Sequence, residues 1–580
     1  MDRSGIKNEA NIKRDIYYLL ITGGILGALF FVIIYGVKIL DFTYDGWLVN
    51  PEIDLGQHYV SWCNYRNSAW RFPIGLNDRL TFPFPMSVIY TDSIPLFAVI
   101  FKILSPILPV HFQYFGLFGI VSYMLSSALA AVLLRRFISN KNLALLASPL
   151  LSVSFPILQR MYYHTALASH WIIFLALILW VYDVGSKKRV KRMVVWALMG
   201  VLCVSIHSYF LPMIGMILLA YMICEAANRG LFVKKSDAGQ SVNKRRIIVE
   251  SLLPVVSFCI GAILNLWILG GFYGGGNAYG PGLGTFGCNL NTFINPIHYG
   301  AILPELPLYY DFQYEGFAYL GAGVIMLLIL CIIWIAAAKI MKSKVSFVHE
   351  NKVITKVTIG LFVVSMAFAT LPLISIGDKK IVWIPYIAPV ERLLGIFRSN
   401  GRLVWVAMYI LIILAVALMC HIFNCDKVIC SIILAVVLCV QAYDLKNIVA
   451  DVHEYCTADH IYEPVIVNRD TKELLEGKTH FVFLYNDNDI TINTAFYGYL
   501  HNMYQNNFYY ARDIDELIDT EVAMNVAKLN MRQPDPDAVY VIQNEGYENN
   551  KEWFKSKNYR VARVDENHLI FVAAPAKKQK

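Results

Sequence analysis

Long apolar runs separated by short basic connectors dominate the first three quarters of the chain, and a spanning helix needs about 20 largely apolar residues. The pattern predicts about eleven spans, near residues 16–39, 112–134, 143–157, 166–183, 193–207, 209–224, 247–270, 318–340, 354–374, 403–422 and 427–443. From about Asp444 the texture changes. Charges become frequent, and alternating apolar stretches such as Thr479 to Tyr485 and Ala538 to Ile542 read as strands. A helix is expected over Ile514 to Ala527, and Tyr559 to Val572 reads as a hairpin turning at Asp565-Glu566-Asn567-His568. The fold class is therefore an α-helical polytopic membrane protein, residues 1–443, followed by an α/β domain, residues 444–580.

Composition agrees with the pattern: 57% of the 580 residues are hydrophobic and only 16% are charged, against roughly 25% charged in an ordinary soluble domain. The net charge of +8 does not indicate a nucleic-acid partner, because Lys and Arg lie mainly in the connectors, as the positive-inside bias predicts. The first apolar run, Ile16 to Leu40, is too long for a signal-peptide core and is expected to remain as an anchor. Most of the 11 cysteines fall in apolar runs, without a CxxC pair or metal spacing. Cys63 and Cys288 lie in expected outer loops, where a disulfide is conceivable.

With Lys7, Lys13 and Arg14 in the cytoplasm, the basic clusters at Arg135-Arg136, Lys187 to Arg192, Lys234 to Arg246 and Lys339 to Lys344 all fall on the inner side. This parity requires Ser93 to Pro109, interrupted by Lys102, Pro106 and Pro109, to lie in the interface or re-enter. Residues 41–111, 271–317, 375–402 and the tail then face outward, and three of these segments could assemble one site.

The first outer segment carries Glu52, Asp54, Gln57, His58 and Asp92, with Trp47, Trp62 and Trp70 around them. A carboxylate there can act as a base where a lipid-linked substrate meets an aqueous one. Asp54 as a helix N-cap is the competing structural role. The loop from Gly271 to Phe317 is glycine-rich without phosphate-loop spacing, and a flexible connector accounts for it equally well. It ends in Asp311 and Glu315, which are candidates to face an acceptor. Arg398 and Arg402 break the charge rule on the outer side. Four residues apart, they could face one anionic headgroup if helical, or anchor a helix end. Arg160, His164, His170 and His207 add a cation and imidazoles near the same face, where polar groups at membrane depth mark sites unless they satisfy helix packing.

Several stretches carry a family resemblance: Asp54 with Gln57-His58-Tyr59 and Trp62, Tyr90 to Leu96, Gln113 to Gly116, His170-Trp171, Tyr314 to Gly321, and Phe397 to Arg402. On these the chain resembles the DUF6311 family of bacterial membrane proteins, related to the GT-C superfamily of polyprenyl-phosphate-dependent glycosyltransferases. The resemblance implies a GT-C-like membrane transferase with an acidic residue in its first outer loop, a lipid-phosphate sugar donor and an active site at the outer face. The first loop lacks the Asp-Glu pair of protein mannosyltransferases, and there is no Trp-Trp-Asp tripeptide as in oligosaccharyltransferases, so neither group supplies the acceptor.

The expected chemistry is sugar transfer from a polyprenyl-phosphate donor to a cell-envelope glycan, lipid or protein at the extracytoplasmic face of the bacterial cell membrane, by inverting displacement. Asp54 is the expected general base, with Asp92 and Glu52 as competitors and His58 or His170 as orienting groups. Arg398, Arg402 and Arg160 are expected to bind the donor phosphate; Glu52, Gln57, His164, His170, Glu315 and Asn400 are expected at the substrate. No cofactor is demanded, and no metal ligand set is assigned, although a divalent cation (Mg²⁺ or Mn²⁺) remains open. A lipid-linked glycan polymerase or ligase, or a flippase of a lipid-linked glycan, are the alternatives. Product length separates the first, and mid-membrane polar groups in repeated halves would mark the second.

Overall fold

The computed structural model describes residues 3–50, 53–183, 188–232, 243–274, 282–340, 352–512, 514–557 and 559–573. Glu52, Gly275, Gly276 and Gly280 lie outside the described residues. By compactness the chain divides into two units. The first comprises Met1–Leu40, Phe115–Leu264 and Tyr279–Ala458; the second comprises Asp41–Tyr114, Asn265–Ala278 and Asp459–Lys580. Loop 41–114 thus joins the tail in one unit rather than the membrane helices.

Among the described residues, nine helices are long and apolar enough to cross a membrane, so the protein is a polytopic membrane protein. The other two expected spans also exist as helices, but in altered form. Arg189–Ile206 carries Arg189, Lys191 and Arg192 in its first turn, which removes it from the spanning set. The expected 143–157 span belongs to a pair, Lys141–Ser152 and Phe155–Tyr163, bent by 48°. Pro156 at the start of the second helix cannot donate a backbone hydrogen bond, which accounts for the break. Segment 93–109 forms the short helix Pro95–Leu104 and a 3-10 turn to Ile107, too short to cross. It exposes Leu96, Ile100, Ile103 and Ile107 along one side, as an interfacial helix does.

Small residues let the first unit's helices approach closely, the packing mode expected where lipid removes the hydrophobic drive between helices. A Cβ at Gly27 would meet Tyr123 O at 2.2 Å, and one at Gly23 would meet Ala128 Cα at 2.8 Å. Gly200 and Gly261 do the same between Arg189–Ile206 and Lys244–Leu269. Asp444, fully buried, is another organiser of this unit. Its carboxylate accepts from Ala301 N at 3.0 Å, Ile302 N at 2.9 Å, Ala322 N at 2.8 Å and Tyr319 Oη at 2.8 Å. It thereby satisfies an orphan donor where the Ala322–Ile340 helix begins.

The described part of the 271–317 loop is ordered by side-chain hydrogen bonds rather than free. Asn289 donates to Gln313 Oε1 at 2.9 Å and to Gly377 O at 2.9 Å, and its own Oδ1 accepts from Gly377 N. Leu290 N donates to Ser375 O, on the antiparallel hairpin of Leu373–Ile376 and Lys379–Trp383.

In the second unit the tail forms a five-stranded sheet. Its strands are β1 (His480–Phe483), β2 (Tyr504–Gln505), β3 (Ala538–Gln543), β4 (Arg560–Arg563) and β5 (His568–Val572), in the order β2-β1-β3-β5-β4. β1 runs parallel to β2 and β3, whereas β5 is antiparallel to β3 and β4. Apolar clusters pack on it around Phe483, Val541 and Ile570, and around Tyr540, Phe554 and Phe571. Helix Asp515–Asn530 corresponds to the helix expected from Ile514. Helix Asp54–Asn67 packs against Thr491–Leu500 of the tail, with Asn64 donating to Ala495 O at 3.0 Å and Arg66 to Tyr499 Oη at 3.0 Å. All eleven cysteines, Cys63 and Cys288 included, are free thiols.

Candidate functional site

The first unit buries three charges together. Glu315, in the 3-10 turn Asp311–Gly316, receives Arg402 through two bonds, Nε to Oε2 at 2.8 Å and Nη2 to Oε1 at 2.9 Å. Arg160 Nη2 donates to the same Oε2 at 2.7 Å. Burial works against the charged form of Glu315, but the two guanidiniums overcome it and hold its carboxyl well below the usual range. Two cations face one carboxylate, and Arg160 Nε is buried without a hydrogen-bond partner. The three side chains therefore sum to one formal positive charge, and Arg160 Nε is left as a buried donor.

Glycine makes this approach sterically accessible. A Cβ at Gly401 would stand 2.7 Å from Phe286 O and 2.8 Å from Gly316 Cα, and one at Gly316 would stand 2.7 Å from Cys288 Cα. These two glycines let the turns bearing Glu315 and Arg402 touch. Gly401→Ala is expected to separate them and lower the thermal midpoint of the purified protein by several degrees, read by intrinsic fluorescence in nanodiscs; an unchanged midpoint would show that the turns do not depend on contact.

Aromatic side chains line the pair. Arg402 lies over Tyr209 at 4.5 Å and Arg160 over Trp405 at 5.8 Å. His170 sits 4.3 Å from the Trp405 ring, and its Nδ1 is 2.6 Å from Tyr409 Oη. His164 packs edge-on to His207 at 5.8 Å, and His207 Nδ1 accepts from Tyr209 N. Arg160 and Arg402, expected at the donor phosphate, and Glu315, expected at the acceptor, are thus brought together, with His170 beside them. Arg398 stays outside this ion pair, half-buried over Phe286 at 5.4 Å. The turn that holds Arg402 begins only at Asn400, so no continuous helix aligns the two arginines. Asn400 donates to Phe368 O at 2.8 Å and Leu371 O at 2.7 Å, satisfying the end of Lys352–Thr370. Sequence reasoning missed Tyr209, Trp405, Tyr409, Gly316 and Gly401; only the last two stood inside stretches that had drawn attention.

The second unit carries the acidic candidates. Asp54 is the first residue of helix Asp54–Asn67, with Ile53 at the N-cap, and it is exposed while Leu55 to Arg66 are all buried. The N-cap position, the competing structural role for Asp54, is held by Ile53 without a side-chain cap bond, and Asp54 occupies the first turn, where the helix dipole favours a carboxylate. Gly56 fixes this helix start: its Cβ would meet Asn50 O at 2.2 Å. Gln57 donates to Tyr509 O at 2.8 Å. His58, one turn after Asp54, is buried, and its carbonyl accepts from Ser93 Oγ at 2.9 Å. Asp92 is half-buried with φ 48°, a left-handed position that Asp tolerates. A ring nitrogen of His58 and a carboxylate oxygen of Asp92 lie within 4.8 Å of each other, close enough to share one cation.

These features define a polytopic membrane protein with a buried, net-cationic cluster in its first unit and a carboxylate-bearing second unit. Residues 24–446 match the family described as Domain of unknown function (DUF6311), and residues 470–575 match the DUF6311 C-terminal domain. The chain belongs to the DUF6311 family. No curated protein matches it. Among solved structures it is similar to the crystal structure of the Archaeoglobus fulgidus oligosaccharyltransferase in the apo form, with 11% identity and a TM-score of 0.41 over 92% of this chain and 70% of that one.

Proposed function

We propose that this protein is a membrane glycosyltransferase that moves a sugar from a polyprenyl-phosphate donor to a cell-envelope acceptor at the extracytoplasmic face. The observation that carries the reading is the Arg160–Glu315–Arg402 cluster, which keeps a positive charge and an unpartnered Arg160 Nε among apolar helices. Such a charge is costly at membrane depth unless an anion meets it, and a guanidinium fork suits phosphate oxygens.

In the proposed reaction Asp54 takes the proton of an acceptor hydroxyl as its oxygen attacks the anomeric carbon. The bond from that carbon to the phosphate oxygen breaks, its electron pair leaves with the polyprenyl phosphate, and the configuration inverts. Arg160 and Arg402 stabilise the charge that develops on the leaving phosphate, while Glu315 holds the two guanidiniums in place. A divalent cation bound at His58 and Asp92 would neutralise further donor charge; no step requires it.

The test uses the protein in lipid nanodiscs with a panel of undecaprenyl-phosphate sugars and an acceptor-containing membrane extract, following each donor by mass spectrometry. Consumption of one donor with release of undecaprenyl phosphate is expected. Survival of every donor would overturn the reading.

A further inference from the structure

The carboxyl edge of the tail's parallel strands carries a second constellation, unrelated to the proposed transfer. His568 opens β5 opposite Gln543, the last residue of β3, and Asn486 to Asp489 leave the end of β1 at the same edge. In sheets of this kind, ligands collect outside the carboxyl ends of the strands. His568 is 3% exposed. Its Nδ1 lies 2.9 Å from Asp565 Oδ1 and 3.0 Å from Oδ2.

Asp565 is itself fixed, because Oδ1 also accepts the backbone N–H groups of Asn567 and His568, both at 2.8 Å. A carboxylate so placed accepts from Nδ1–H, and in the neutral imidazole Nε2 then carries the lone pair that a metal can take. That Nε2 is buried without a hydrogen-bond partner and points at Asp489 Oδ2, 3.6 Å away. The distance is too long for a hydrogen bond. It fits two ligands on one small cation: metal bonds of about 2.1 Å at a tetrahedral angle place their donor atoms about 3.4 Å apart.

Asp487 brings a second carboxyl against Asp489. Like charges in contact with an unused imidazole nitrogen are a combination that a cation relieves. Asn507, fully buried, anchors the turn by donating to Asp487 O at 2.9 Å.

We propose that His568 and Asp489, with Asp565 orienting the imidazole and Asp487 beside them, form a binding site for a first-row divalent cation in the C-terminal domain. The imidazole selects against Mg²⁺ and Ca²⁺, which take oxygen ligands, and in favour of ions such as Zn²⁺. The arrangement of carboxylate, histidine and metal is the one in which an outer carboxylate fixes the ligand's tautomer.

The test loads chelator-stripped full-length protein in nanodiscs with Zn²⁺, removes free metal by gel filtration and counts bound zinc by mass spectrometry. Wild type should retain one equivalent more than Asp489→Asn and one more than His568→Gln. Asp565→Asn should bind about tenfold more weakly, as expected for loss of an orienting carboxylate. Asp489 is half-exposed, so its variant keeps the fold even if His568→Gln does not. Equal zinc in wild type and Asp489→Asn, at matching circular dichroism, would overturn the proposal.

Discussion

Glu315→Ala is expected to destabilise the protein by about 3 to 5 kcal/mol, because it strands two buried guanidiniums whose shared partner is gone. Arg160 and Arg402 are both buried, so water cannot replace the carboxylate. The readout is the thermal midpoint in nanodiscs without added donor. The depressed Glu315 carboxyl also fixes the sign of a pH effect. Its contribution is fully present above the unfolded glutamate value of about 4.3 and is lost as pH falls below that value toward the folded one. Wild type should therefore lose stability on acidification below about pH 4.3 more steeply than Glu315→Ala.

A triple variant separates architecture from function. Replacing Glu315, Arg160 and Arg402 by apolar residues of similar volume should recover most of the stability, since a buried ion cluster often gives little net stabilisation over good packing. The same variant should leave polyprenyl-phosphate donors unconsumed. Recovered stability together with full turnover would reduce the cluster to a packing device.

The spans and the tail were legible in the sequence because each follows a local period. Apolar length exposed the nine helices long enough to cross among the described residues, although it predicted eleven, and alternation exposed β1, β3 and the β4–β5 hairpin. β2 has only two residues, Tyr504 and Gln505, too few for a period to register. The ion cluster was invisible for a different reason. Glu315 lies 155 positions from Arg160 and 87 from Arg402, so only tertiary packing defines it. Arg402 drew attention as a misplaced positive charge, yet nothing local indicated that a carboxylate held it. Helix Asp54–Asn67 hid its environment as well. It is buried on all sides from Leu55 to Arg66, and a helix covered all round shows no amphipathic stripe to read.

Asp54→Asn is expected to reduce sugar transfer about a thousandfold, in the range that a positioned general base contributes, while donor binding is retained. The substitution keeps shape and removes the proton acceptor. Its structural cost is small, because a carboxylate in the first turn of a helix contributes only about 0.3–1 kcal/mol through the dipole and Asp54 is exposed. Turnover is measured by mass spectrometry, with the thermal midpoint as the control for folding. Asp54→Glu, which restores a base on a longer arm, should regain part of the rate. Asp92→Asn distinguishes the two carboxylates: if it abolishes transfer while Asp54→Asn stays near wild type, the base is Asp92. If both variants turn over normally, proton removal by these two carboxylates is not part of the reaction.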